Sequence, residues 1–185
     1  MNREVHAPFC ERLGVKLLRP THPATNTKMA RFMGRGPQGK RVVGSVPGGH
    51  WETITLVAGL TQGGIVAPFT FEGAMDGPTF VAYIEQCLAP TLKRGQIVIM
   101  DNLPAHHVPG VREIIEAAGA HLVYLPKYSP EFNPIEQAFS KIKALLRKAA
   151  ERSVKTLVRR IGSILRSINK QECINYFRNS GYVFT

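Results

Sequence analysis

The sequence predicts a single α/β domain whose sheet is at least partly parallel. Three observations carry that prediction. Two adjacent apolar, β-branched runs flank a Gly-Gly turn, two short continuous apolar runs alternate with helical segments, and the last third repeats apolar residues at helical spacing. Hairpin, helix, strand, helix, strand and then helices is an α/β order, and strands joined through helices pair in parallel.

Taken in order, Val15–Leu18 has the composition of a short strand, but Pro20 and Pro23 follow at once and cannot donate to a ladder. Met33–Lys40, with its glycines and proline, is expected to be a loop with basic arms. Thr53–Leu60 and Ile65–Phe71, joined by Thr61–Gly64, read as a β-hairpin. Asp76–Leu92 carries apolar residues at 80, 81, 84, 87 and 88, the spacing of a helix face. Ile97–Met100 and His121–Leu125 are expected to be buried strands. Between them a helix starts at Val108 or Pro109 and stops before Gly119, a residue suited to a left-handed C-cap. Pro126–Pro134 is rich in turn formers. Beyond it Ile135, Ala138, Phe139, Ile142, Leu145, Leu146 and Ala149 form one stripe, and Ser153 caps a further helix with Leu157, Val158, Ile161, Ile164, Leu165 and Ile168.

Composition narrows the function. The chain has 185 residues, 44% of them hydrophobic, enough for one cored domain. No apolar run reaches the ~18 residues of a spanning helix, and the first residues lack a secretory apolar region. Three scattered cysteines argue against a disulfide framework and a cysteine zinc site, so a cytoplasmic domain is expected. The net charge of +11 is uneven: +7 over residues 1–44, −4 over 45–126 and +8 over 127–185. A binding module needs only the basic ends, whereas a metal-dependent enzyme acting on a polyanion needs carboxylates for the metal as well as cations for the substrate.

Two carboxylates stand out. Asp101 directly follows the run Ile97–Met100, at the strand edge where open α/β sheets bind ligands, although Asp-Asn is also an ordinary turn opener. Glu136 lies where a glutamate closes a capping box if Asn133 is the N-cap and Pro134 the first helical residue, and it also borders the buried stripe. Magnesium is typically held by a few carboxylates plus substrate phosphates, and paired ions serve phosphoryl transfer. His106 and His107, in the loop after Asp101, read as solvated histidines or equally as a weak adventitious metal site, and Trp51 as a residue packed at a strand start. Lys141, Lys143, Arg147 and Lys148, with Arg152, Lys155, Arg159 and Arg160 beyond them, form a basic helical surface suited to DNA, or else a solvated face.

The run Ile97-Val98-Ile99-Met100-Asp101-Asn102, then His106, then Leu125-Pro126-Lys127-Tyr128-Ser129-Pro130-Glu131-Phe132-Asn133-Pro134-Ile135-Glu136, resembles the second half of a DDE transposase catalytic domain of the mariner-like bacterial insertion-sequence group. The 34 residues between Asp101 and Glu136 match that group's spacing, and Lys28-Met29-Ala30-Arg31, Gly34-Arg35 and Gly49-His50-Trp51 fit its upstream pattern. The resemblance covers 26–185 and leaves 1–25 as a non-family or degenerate segment. It implies a ribonuclease H-like mixed sheet flanked by helices, and DNA cleavage and strand transfer at element ends with Mg²⁺ or Mn²⁺. Asp101 and Glu136 match the second and third of three metal-binding acids, with Asn102, His106 and Asn133 supporting the site. The implied partners are element-end and target DNA, and either a second copy of the chain or a separate chain supplying a helix-turn-helix region. The implied location is the bacterial nucleoid.

One departure is expected to matter. The first acid should fall near Thr21-His22, yet no Asp precedes Asp76, and Glu11, Glu52 and Glu72 belong to other elements. The chain therefore reads as a truncated or frameshifted copy. Its first strand would be degenerate, Leu17-Leu18-Arg19-Pro20 would leave an unpaired or mispaired edge, and catalysis would be impaired. The alternatives are a catalytically dead DNA-binding remnant that interferes with or assists intact transposase, and a nuclease of the same fold that does not transpose.

Overall fold

A computed structural model describes residues 15–19, 25–26, 36–41, 43 and 52–182. Its sheet contains β1 (Val15–Arg19), β2 (Thr25–Asn26), β3 (Thr53–Thr61), β4 (Gly64–Glu72), β5 (Ile97–Met100) and β6 (His121–Tyr124). β3 pairs with β4 along one side and with β1 and the short β2 along the other, all antiparallel. β1 then pairs in parallel with β5, and β5 in parallel with β6. The predicted mixed sheet is thus present, its parallel half built from strands that helices separate.

The expectation of an open edge at the first strand is not met. Leu17 and Leu18 pair with Leu60 and Gly59 on one side and with Ile99 and Met100 on the other, so β1 is central. β1 also falls within the segment 1–25 that the sequence reading sets apart. Thr21-His22, Lys28-Met29-Ala30-Arg31, Gly34-Arg35 and Gly49-His50-Trp51 lie outside the described residues.

Alternation along the strands divides the core in two. Ile54, Leu56, Ala58 and Leu60 of β3 and Ile99 of β5 face α3 (Ile135–Ala149), α4 (Val154–Ser167) and α5 (Lys170–Asn179). Val57, Val98 and Met100 face the other way, against α1 (Gly77–Tyr83) and α2 (Val111–Ala117). β4 carries one extra residue opposite Val57–Gly59, and Ala67 there has φ 47°. This bulge accommodates Pro68, and the Tyr83 hydroxyl donates to the Ala67 carbonyl at 2.9 Å.

Three elements depart from their sequence patterns. The helix expected over Asp76–Leu92 tightens and widens along its length: α1 passes into a π-turn at Ile84–Leu88 and a 3₁₀ turn at Ala89–Thr91. Pro90 has no N–H with which to continue an α ladder. α2 begins only at Val111, because Gly110 takes φ 96° and its N–H is capped by the Glu113 carboxylate at 2.9 Å. β6 is an edge strand rather than a doubly buried one, with His121 exposed and Val123 46% exposed. Gly119 does end the preceding segment at φ +79°, and any Cβ there would lie 2.6 Å from Arg94 Cγ. Ser153 caps α4 as expected, and Asn169 with Glu172 forms a capping box that starts α5.

Candidate active site

Asp101 sits one residue beyond β5, at the end of a strand paired on both sides. His106 reaches back to it from a 3₁₀ turn, Pro104–His106, contacting its carboxylate through Nδ1 and its carbonyl oxygen at 3.0 Å. With the proton on Nδ1, that N–H donates to the Asp101 carbonyl, and the ring edge lies against the carboxylate. His106 is 0% exposed, so the solvated-histidine reading is corrected for this residue. Phe80 packs on its ring at 5.1 Å between centroids, and the Tyr124 hydroxyl donates to its carbonyl at 2.9 Å. His107 is the exposed one. Its Nε2 donates to Asn102 Oδ1 at 2.6 Å, and its ring stacks on Tyr124 at 4.0 Å.

Glu136 comes from the first turn of α3. The capping-box arrangement is not realised: α3 starts at Ile135 with no side-chain cap, and Asn133 sits outside the helix at φ −108° and ψ 95°. Glu136 N–H instead donates to the Asn133 backbone carbonyl at 3.1 Å, which stacks the two residues one tight turn apart. Asn133 is 1% exposed, and among the described residues neither its Oδ1 nor its Nδ2 has a hydrogen-bond partner. Leaving a buried amide unsatisfied costs on the order of 1–3 kcal/mol. The buried Nε2 of His106 is likewise without a partner.

These residues converge on one groove of about 370 Å³, lined by Asp101, Asn102, Asn133 and Glu136 together with the loop Pro126–Pro130. The sequence argument did not single out the outer lip formed by that loop. Tyr128 there is 98% exposed and holds φ 59°, a left-handed conformation costly for a bulky side chain, beside the exposed Lys127. The signal was in the string Lys127-Tyr128-Ser129-Pro130, which reads only as turn chemistry until the loop is placed over the carboxylates.

The four basic residues of α3 do not act as a unit. At 100° per residue, Lys143 and Arg147 fall within about 20° of the line through Glu136, roughly 10 and 16 Å along the helix from it. Lys141 lies on the opposite flank with Gln137 and is engaged by α5 through an ion pair to Glu172. Gln137 donates to the Tyr176 carbonyl and to Ser180 Oγ, both at 3.2 Å, and accepts from Asn179 at 3.1 Å. Lys148 is exposed on that same side. In the following helix, Arg160 pairs with Glu151 at 2.9 Å.

Two carboxylates and an orphaned amide form an all-oxygen donor set of the kind that hard divalent cations prefer, so the groove fits a magnesium or manganese ion. Asp101 and Glu136 would hold it. Among the described residues there is no group of three or more His, Cys, Asp and Glu able to hold a metal.

A family model, "DDE superfamily endonuclease", matches residues 23–158. The match covers more than half of the chain, which therefore belongs to the DDE superfamily endonucleases. Its fold is that of the Mos1 mariner transposase catalytic domain, a ribonuclease H-like α/β architecture. A pre-cleavage Mos1 transpososome superposes with a TM-score of 0.67 at 12% identity, covering 93% of this chain and 52% of the Mos1 chain. The mariner Mos1 paired-end complex with Mg gives 0.65 at 13% identity over 91% and 53%. The isolated Mos1 catalytic domain gives 0.54 at 15% over 70% and 67%. The chain thus spans about half the length of the Mos1 chains in these assemblies. No curated protein sequence matches it. Among the described residues, no helix is long and apolar enough to cross a membrane.

Proposed function

We propose that the chain is the catalytic domain of an insertion-sequence transposase of the mariner-like bacterial group, cleaving and joining DNA strands at element ends with Mg²⁺ or Mn²⁺. The observation that carries this reading is the convergence of Asp101, from a central strand end, and Glu136, from a later helix, on one groove. Such an ion, when bound, polarises the phosphodiester and lowers the pKa of the attacking oxygen. The chain's own contribution is positional. His106 orients the Asp101 carboxylate, while Asn102, anchored by His107, forms part of the groove wall. Lys143 and Arg147 extend from Glu136 as a track for a phosphate backbone, and Lys127 with Tyr128 forms a lip able to pair with a phosphate and stack on a base. The Mos1 assemblies, one with Mg and one with Mn, support a divalent ion and a DNA substrate. The domain is assigned to 26–185 together with β1.

A second reading follows from the sequence. No Asp precedes Asp76, which favours a site short of its first acid and a chain that binds DNA but cuts it poorly. Nicking of supercoiled plasmid in Mn²⁺, comparing the chain with Asp101→Ala, separates the two. Nicking by the parent and not the variant supports the enzyme. Equal inertness with retained DNA binding supports the remnant.

A further inference from the structure

We infer that Asn133 is itself a ligand of the divalent ion, its amide oxygen completing the donor set of Asp101 and Glu136. This rests on the metal-site reading above and names a third donor for it. Three observations converge. Asn133 lines the same groove as both carboxylates. Its backbone carbonyl accepts from Glu136 N–H at 3.1 Å, which holds the two side chains a single turn apart at the groove floor. Its amide is 1% exposed with neither polar atom satisfied, in a position where the helix-capping role open to an asparagine is left unused.

A buried amide with nothing to bond is what remains of a binding site when its ligand is taken away. The amide oxygen is a neutral hard donor of the type magnesium and manganese accept. Turning the amide over leaves the argument unchanged, because both ends are orphaned.

The test is Mn²⁺ affinity of the purified chain without DNA, read from the electron paramagnetic resonance signal of the free ion, alongside the melting temperature in chelator. Asn133→Leu is expected to weaken Mn²⁺ binding about 10-fold or more while leaving the melting temperature unchanged or a few °C higher, since an apolar side chain of similar size removes the unsatisfied amide. Asn133→Asp is expected to tighten Mn²⁺ about 10-fold by adding a charged oxygen at the same place. Asp101→Ala serves as the reference. If Asp101→Ala weakens Mn²⁺ and Asn133→Leu does not, the carboxylate site stands and the Asn133 assignment is overturned. If the parent chain binds no Mn²⁺, both fall together.

Discussion

The two flanks of α3 bear similar polar residues and are put to opposite uses. On one, Gln137 and Lys141 are taken up by α5, through three amide hydrogen bonds and the ion pair to Glu172. On the other, Glu136 enters the groove and Lys143 and Arg147 continue its line along the helix. The first flank fastens the C-terminal layer to the domain. The second borders the groove, and under the proposed function it is the flank that faces substrate. A lysine's role is thus set by what packs beside it rather than by its place in a basic run.

The largest effect should come from removing the buried line that holds both flanks in place. Phe139, 1% exposed between them, should cost about 3–5 kcal/mol on mutation to Ala, measured by urea unfolding, and the groove should be lost with it. Reversing the open flank with Lys143→Glu and Arg147→Glu together should lower DNA affinity about 10- to 100-fold at moderate salt. It should also flatten the log–log salt dependence by about 2, with little change in melting temperature. An unchanged salt slope would return these two residues to an ordinary solvated face.

The covered flank should respond in stability and not in binding. Lys141→Ala should cost about 0.5–1 kcal/mol with DNA affinity within about twofold of the parent. Its pH dependence has a defined sign. The hydrogen bond from Lys141 holds the Glu172 carboxyl below its ordinary 4.5, so that contribution is present above pH 4.5 and fades as pH falls through the lowered value. The same bond to Glu172 raises Lys141 above 10.5, so its contribution is complete below pH 10.5 and fades above it. The difference between parent and variant should therefore be flat between these limits and shrink outside them. A matching loss of DNA affinity in Lys141→Ala would erase the contrast between the flanks.

The smallest effect should be at the groove lip. Tyr128→Gly removes a side chain that is 98% exposed and relieves a φ of 59°, so stability should change by less than about 1 kcal/mol, in the favourable direction. Affinity for a DNA end carrying an unpaired base should nonetheless fall about 5- to 10-fold, the worth of one stacked base. Unchanged affinity would assign the strained tyrosine to loop geometry alone.

Much of the fold was legible because its signals are local. The hairpin, the run Ile97–Met100, the C-cap at Gly119 and the stripe from Ile135 each rest on periodicity or on one residue's backbone preference. Where the reading failed, contacts with the rest of the fold decided. β1, read with Pro20 and Pro23 after it, is expected to leave an unpaired or mispaired edge, yet its neighbours supply both ladders. β6 is expected to be buried like β5, but its alternate residues His121 and Val123 point to a face of the sheet that is exposed.

The site divides in the same way. Sequence by itself determined which groups are present: two carboxylates with 34 residues between them, an Asn-Pro helix entrance, a histidine five residues after Asp101 and a basic last third. Tertiary structure alone decided their states. It buried His106 against Phe80, left Asn133 without its cap bond, and gave Lys141 to Glu172 while Lys143 stayed in line with Glu136. The physical reason is that residue type and spacing fix chemistry and local conformation. Burial, partner choice and convergence on a groove depend on contacts between segments far apart in the chain.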